Sequence, residues 1–132
     1  MTSPAALAPF DAAVLRRDGE GVRLIGSACQ ACDATYFPAR ATCASCGTAT
    51  TATDLPEAGV VYAVTTSAWP IAGLTPPVTV VQVDLAAGLR VQAVSVAPLV
   101  IGERARVVPI TVPAADGEQL GYAFAAEVGP DA

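Results

Sequence analysis

The chain of 132 residues has no histidine and no lysine, and its seven basic residues are all arginine. It therefore lacks the commonest general base and any amine for Schiff-base chemistry. The formal charge of −5 excludes an extended cationic groove, although Arg104 and Arg106 sit close together. Aromatic residues are scarce: one tryptophan, three tyrosines and three phenylalanines. No run of aliphatic or aromatic side chains exceeds five residues, so no helical membrane span is expected. The first fifteen residues lack a basic start, and Pro4 and Pro9 interrupt their short apolar stretch. They do not read as a secretory signal, which points to a small cytoplasmic protein.

Cysteine is also sparse, but its four copies are concentrated. Cys29, Cys32, Cys43 and Cys46 fall within eighteen residues as two C-x-x-C pairs, CQAC and CASC, with ten residues between them. Two thiolates separated by two residues grip one ion from a tight turn, and a second such turn completes a four-sulfur shell around zinc. With no histidine available, that shell is all cysteine. Gly47, directly after the second pair, suits the positive backbone angle of a sharp knuckle. Two disulfides would need an oxidising compartment, and a thioredoxin-like site would use one C-x-x-C rather than two. Iron occupies the same cage in rubredoxin, and spacing alone does not separate the metals. A four-sulfur cage leaves no open coordination position, so the metal is expected to be structural. Around a divalent ion, four thiolates leave a local surplus of two negative charges.

The chain divides into a leader and N-terminal helix (1–20), a zinc ribbon (21–54) and an all-β domain (55–128). Residues 1–7 read as a disordered leader of small residues. Phe10, Ala13, Val14 and Leu15 suggest a helix of two to three turns, with Asp11 near its start and Arg16–Arg17 near its end. Asp18-Gly19-Glu20-Gly21 would stop it. Val22, Leu24 and Ile25 look like a strand feeding the first knuckle. Thr35 to Pro38 reads as a return strand, and Thr48 to Thr53 as a strand leaving the second knuckle. From Gly59, Val61, Ala63 and Thr65 are expected on one face, with Val60, Tyr62 and Val64 on the other. Val81, Val83 and Leu85 alternate with Gln82 and Asp84. After Ala86-Ala87-Gly88, Leu89, Val91 and Ala93 alternate with Arg90 and Gln92, predicting a hairpin. Arg104–Val112 and the alternation of Leu120, Tyr122 and Phe124 supply two more strands. Five strands without a long helix suit a small barrel, for which the OB-fold is the common solution.

No residue stands out as catalytic. The cysteines are taken as metal ligands, no serine lies in a nucleophile elbow, and Asp84, Glu103, Asp116 and Glu118 read as solvated strand ends and turns. Ribbons and OB-folds often bind nucleic acid, but that needs stacking aromatics along a basic track, which this acidic chain lacks. Trp69-Pro70 opens a loop running through Gly73 to Pro76-Pro77. Its indole either lies on the barrel or faces a partner. Phe37 reads as core or as contact surface, and Arg40 could meet a partner carboxylate.

The order of these parts resembles the zinc-ribbon/OB-fold acyl-CoA-associated proteins, long grouped as a domain of unknown function. The resemblance spans about residues 9–127 and rests on the paired knuckles followed by Phe37-Pro38, the Gly59-x-Val61-Tyr62 barrel start and the Ile101-Gly102 turn. The chain departs from the family in a threonine-rich segment after the ribbon and in lacking a proline in the second knuckle. The resemblance implies a mainly β fold: a short N-terminal helix, a rubredoxin-like zinc ribbon and a five-stranded OB-fold barrel. It also implies a non-catalytic accessory subunit, partnered by a thiolase-like or lipid-transfer-type enzyme that supplies the nucleophile and acid/base groups. The subunit would stabilise that enzyme and share its acyl-CoA, with Phe37, Arg40 and Trp69 as candidate contacts. The alternatives are a subunit of an enoyl-CoA hydratase complex and a nucleic-acid-binding module.

Overall fold

The computed structural model describes residues 6–85 and 88–127. They form nine strands: β1 (Leu15–Asp18), β2 (Gly21–Cys29), β3 (Ala34–Tyr36), β4 (Thr51–Asp54), β5 (Ala58–Ser67), β6 (Val78–Leu85), β7 (Leu89–Ser95), β8 (Arg104–Ala114) and β9 (Gly117–Ala126). The expected N-terminal helix is not formed. Only one turn exists, in which Asp11 accepts the Val14 N–H through its carbonyl and the Ala13 N–H through its carboxylate. Leu15–Asp18 instead pairs antiparallel with Gly21–Leu24 through the two-residue turn Gly19-Glu20. Gly19 takes a φ of 62°, which glycine adopts freely at the first position of a tight hairpin. An isolated helix of two or three turns is marginal in water. The hairpin buries Leu15 completely and gives the segment a full set of ladder bonds. Of the leader expected over residues 1–7, residues 1–5 lie outside the described residues, and Leu7 packs against the core.

β2 is the shared element. Its first half pairs with β1, and its second half pairs antiparallel with β3 and β4. This four-stranded sheet is the ribbon. The remaining strands close a barrel in the order β5-β6-β7-β9-β8, with β7 and β9 parallel and the other neighbours antiparallel. The expected five-stranded OB-type barrel is therefore present. Ala86 and Ala87 of the expected hairpin turn, and Val128 at the expected barrel end, lie outside the described residues.

One main core runs through both parts. Leu15, Val22, Leu24 and Leu55 from the ribbon side cluster with Val61, Val81, Val83, Leu85, Val91, Leu99, Leu120 and Phe124 from the barrel. The alternation expected in β6, β7 and β9 agrees with this burial. In β5 it fails halfway. A bulge at Tyr62 leaves Val61 paired with Val83, but sets Ala63 against Gln82 and Val64 against Val81. One extra residue reverses the side-chain phase of a strand. Val64 consequently packs on the core with Val61, while Tyr62 lies half-exposed against Arg90. A second cluster, Val78, Val94 and Ala123, is covered by Ala72 and Leu74 of the loop between β5 and β6.

Candidate metal centre

The four cysteines converge. All four sulfurs lie within 4.8 Å of one another, with Cys29 and Cys43 buried and Cys32 and Cys46 exposed. Cys29 Sγ and Cys46 Sγ, one from each knuckle, are 3.6 Å apart. That is far beyond a disulfide of about 2.05 Å. It matches the edge of roughly 3.8 Å expected when four sulfurs sit about 2.3 Å from one tetrahedral ion. The donor set and spacing fit zinc, with all four cysteines as holders.

Each knuckle is built the same way. The Asp33 N–H donates to the Cys29 carbonyl at 2.8 Å, and the Gly47 N–H donates to the Cys43 carbonyl at 2.9 Å. Both residues have positive φ, 61° and 74°. The second knuckle is also closed by the Cys43 N–H donating to the Thr48 carbonyl at 2.8 Å. β2 delivers Cys29 from the core side, and its pairing with β3 sets the return of the chain.

Groups around the sulfurs tie the knuckles together. Tyr36 Oη accepts the Ala44 N–H at 3.0 Å and lies 3.3 Å from Cys43 Sγ, to which its proton is then directed. That hydrogen bond pulls the Cys43 thiol down to about 6. Cys46 Sγ lies 3.2 Å from Thr48 Oγ1, and hydrogen bonding with Thr48 lowers Cys46 as well. Hydrogen bonding with its neighbours, Cys46 first, pushes Cys32 up to about 12. Some thiols thus ionise readily while another holds its proton, a balance that a bound divalent cation tips towards full deprotonation.

The remaining candidates separate. Arg40 stays at the ribbon: its N–H donates to the buried Ser27 Oγ at 2.9 Å, its Nε donates to the Thr42 carbonyl at 3.2 Å, and its guanidinium lies 5.3 Å from the Tyr36 ring centroid. Phe37 is partly buried on the main core and meets Tyr122 edge-on at 6.2 Å. Trp69 is 78% exposed, so the indole does not lie on the barrel. The three do not form one site with the metal ligands. Sequence reasoning missed Ser27 and Asp33 as neighbours of the site; Tyr36 reads from sequence only as apolar cover for the ribbon, not as the hydroxyl that meets Cys43. Only Asp33 had a signal, since it occupies the position after its C-x-x-C that Gly47 occupies after the other.

Two comparisons bear on this geometry. Residues 17–51 match the family described as "ChsH2, rubredoxin-like zinc ribbon domain". A solved structure described as "Ltp2-ChsH2(DUF35) aldolase" superposes with a TM-score of 0.63 at 26% identity, covering 80% of this chain and 86% of that chain. Together these likenesses support assignment to the zinc-ribbon/DUF35 proteins. No curated protein matches its sequence significantly. The first match covers the ribbon alone. The second extends across most of the chain, so the likeness takes in ribbon and barrel together. The cysteine cluster is the metal-binding centre of that ribbon.

Proposed function

We propose that the protein is a non-catalytic, cytoplasmic accessory subunit of a thiolase-like or aldolase complex acting on acyl-CoA thioesters. The observation that carries this reading is the likeness, over four-fifths of the chain, to a structure named for Ltp2 and ChsH2(DUF35) together as an aldolase. A structural zinc held by Cys29, Cys32, Cys43 and Cys46 fits the role. The ion fixes the ribbon and, with four sulfur ligands, leaves no open position for a substrate. The partner enzyme would then supply the reacting groups. Among the surfaces available to it, the loop carrying exposed Trp69 is the best candidate, because a large aromatic in water is a typical interface anchor.

The acidic charge argues against nucleic acid as the ligand. Arg16, Arg23, Arg90 and Arg104 already pair with Asp54, Asp18 and Glu57, Asp84, and Glu127 respectively. Cations neutralised in this way offer little to a phosphate backbone.

Affinity purification of the tagged protein from its own host, followed by mass spectrometry, tests the proposal. Recovery of a thiolase-like enzyme in near-equal amount supports it. Recovery of a hydratase-like enzyme would move the protein to a different reaction class. Recovery of nucleic acid, or of the protein alone, overturns it.

A further inference from the structure

A cleft of about 420 Å³ lies where the barrel is least tightly closed. Strands β7 and β9 form a ladder pair only at Ser95 and Phe124. Four residues earlier on β9, the N-terminal segment takes the place of β7: Phe10 N–H donates to the Leu120 carbonyl at 2.9 Å, and Leu120 N–H donates to the Ala8 carbonyl at 2.7 Å. Alternate residues of a strand turn their peptide groups to the same side. Leu120 uses that side for the N-terminal segment, and Phe124 uses it to accept the Val96 N–H. Tyr122, midway between them, therefore directs its N–H and C=O into the gap, where no ladder pair with β7 is made.

The walls of the cleft set its chemistry. Phe10, Ile71, Val94, Val112, Gln119 and Tyr122 line it, and none of its lining residues is charged. The Tyr122 ring stacks on Phe10 at 6.5 Å, and burial raises its phenol pKa. Apolar walls with a few main-chain and amide groups are the usual make-up of a small-molecule site, and the volume falls in the usual range. The gap is also short. The Pro9–Leu120 bridge closes one end and the Ser95–Phe124 pair closes the other, leaving no path for a strand of another protein. A phosphate or nucleotide would find no cation there. What fits is the end of a slender, uncharged aliphatic chain whose carbonyl or amide can meet main-chain groups.

We propose that this cleft binds the aliphatic acyl portion of a ligand, through its thioester carbonyl or a neighbouring amide. The inference rests on the acyl-thioester reading above and deepens it: within such a complex, this chain would hold the acyl end rather than the nucleotide.

S-octanoyl-N-acetylcysteamine, a thioester with one amide and no nucleotide, is the probe, titrated into the intact zinc-loaded protein and followed by heteronuclear NMR. Saturable shifts are expected at Val94, Gly121 and Tyr122. N-acetylcysteamine without the chain should bind at least about tenfold more weakly, since each buried methylene contributes about 0.8 kcal/mol. Ile71→Trp, which adds bulk at the rim without entering the core, should weaken the probe about tenfold or more. Shifts mapping elsewhere, no saturation, or unchanged binding to a folded Ile71→Trp protein overturn the proposal. Binding of octanoyl-CoA without binding of the short thioester also overturns it. If a thiolase-like partner co-purifies but the probe fails, the accessory role stands and the cleft does not.

Discussion

Asp33 and Gly47 hold equivalent places in the two knuckles. Each follows the second cysteine of its pair, each has positive φ, and each donates its N–H to the carbonyl of the first cysteine. The two turns around the metal are thus near copies, one built with glycine and one with an aspartate forced into the left-handed region. A side chain in that conformation costs about 1–2 kcal/mol, less for aspartate than for most residues.

Asp33→Gly should therefore be nearly neutral, because relief of the strain offsets the greater freedom of glycine in the unfolded chain. Gly47→Val should cost about 2 kcal/mol through the backbone alone, since nothing lies within 4 Å of a Cβ added there. Thermal melts of both variants with zinc present check the asymmetry. Equal losses would show that the turns are not equivalent.

Tyr36→Phe removes the hydroxyl that joins Ala44 to Cys43. Loss of such an outer partner typically lowers metal affinity about 10- to 100-fold. Competition with a chromogenic chelator should show this, and the sulfur-to-cobalt charge-transfer band of a cobalt-substituted sample should move. Retention of wild-type affinity and band position would reduce Tyr36 to a packing residue.

Cys29→Ser, or chelation of the metal, should disorder the ribbon and lower the stability of the whole chain. β2 carries Cys29 at one end and the core residues Val22 and Leu24 at the other. Metal binding and folding are coupled in such modules. Circular dichroism during chelation is the check. An unchanged melt would mean that the cysteines do not hold the metal.

Gly59→Ala should be among the more damaging single-methyl additions. Its Cβ would lie 2.1 Å from the Asp84 carbonyl oxygen and 2.9 Å from Leu85 Cα, both backbone atoms of β6. The strands must separate, at a cost of about 3 kcal/mol. Urea denaturation measures it.

Asp54 gives the pH dependence a sign. Its hydrogen bond with Arg16, formed at 3.2 and 2.5 Å, holds its carboxyl below the usual carboxylate value. The stabilisation is thus present above the unfolded value of about 4 and is lost as pH falls through the lower folded value. Asp54→Asn should remove this component, and added salt should shrink it, because the pair is exposed. Acid also releases metal from thiolates, so the difference between the wild-type and Asp54→Asn melting curves is the quantity to follow.

The sequence alone determined the metal ligands and most of the barrel. Thiolate spacing is a local property, and the alternation in β6, β7 and β9 survives folding because each of those strands has one face on the core. Tertiary structure decided the rest. Residues 15–18 became a strand because β2 offered them ladder bonds and a buried place for Leu15, outweighing a weak helical pattern. The inward turn of Val64, on the same face as Val61, depends on a bulge that alternation cannot register. Contacts across distant segments, such as Tyr36 with Cys43, Arg16 with Asp54 and Phe10 with Leu120, exist only once the chain brings those segments together. The ligands were legible because two short turns carry them. The cleft beside Tyr122 was not, because it lies between strands that the sequence keeps far apart.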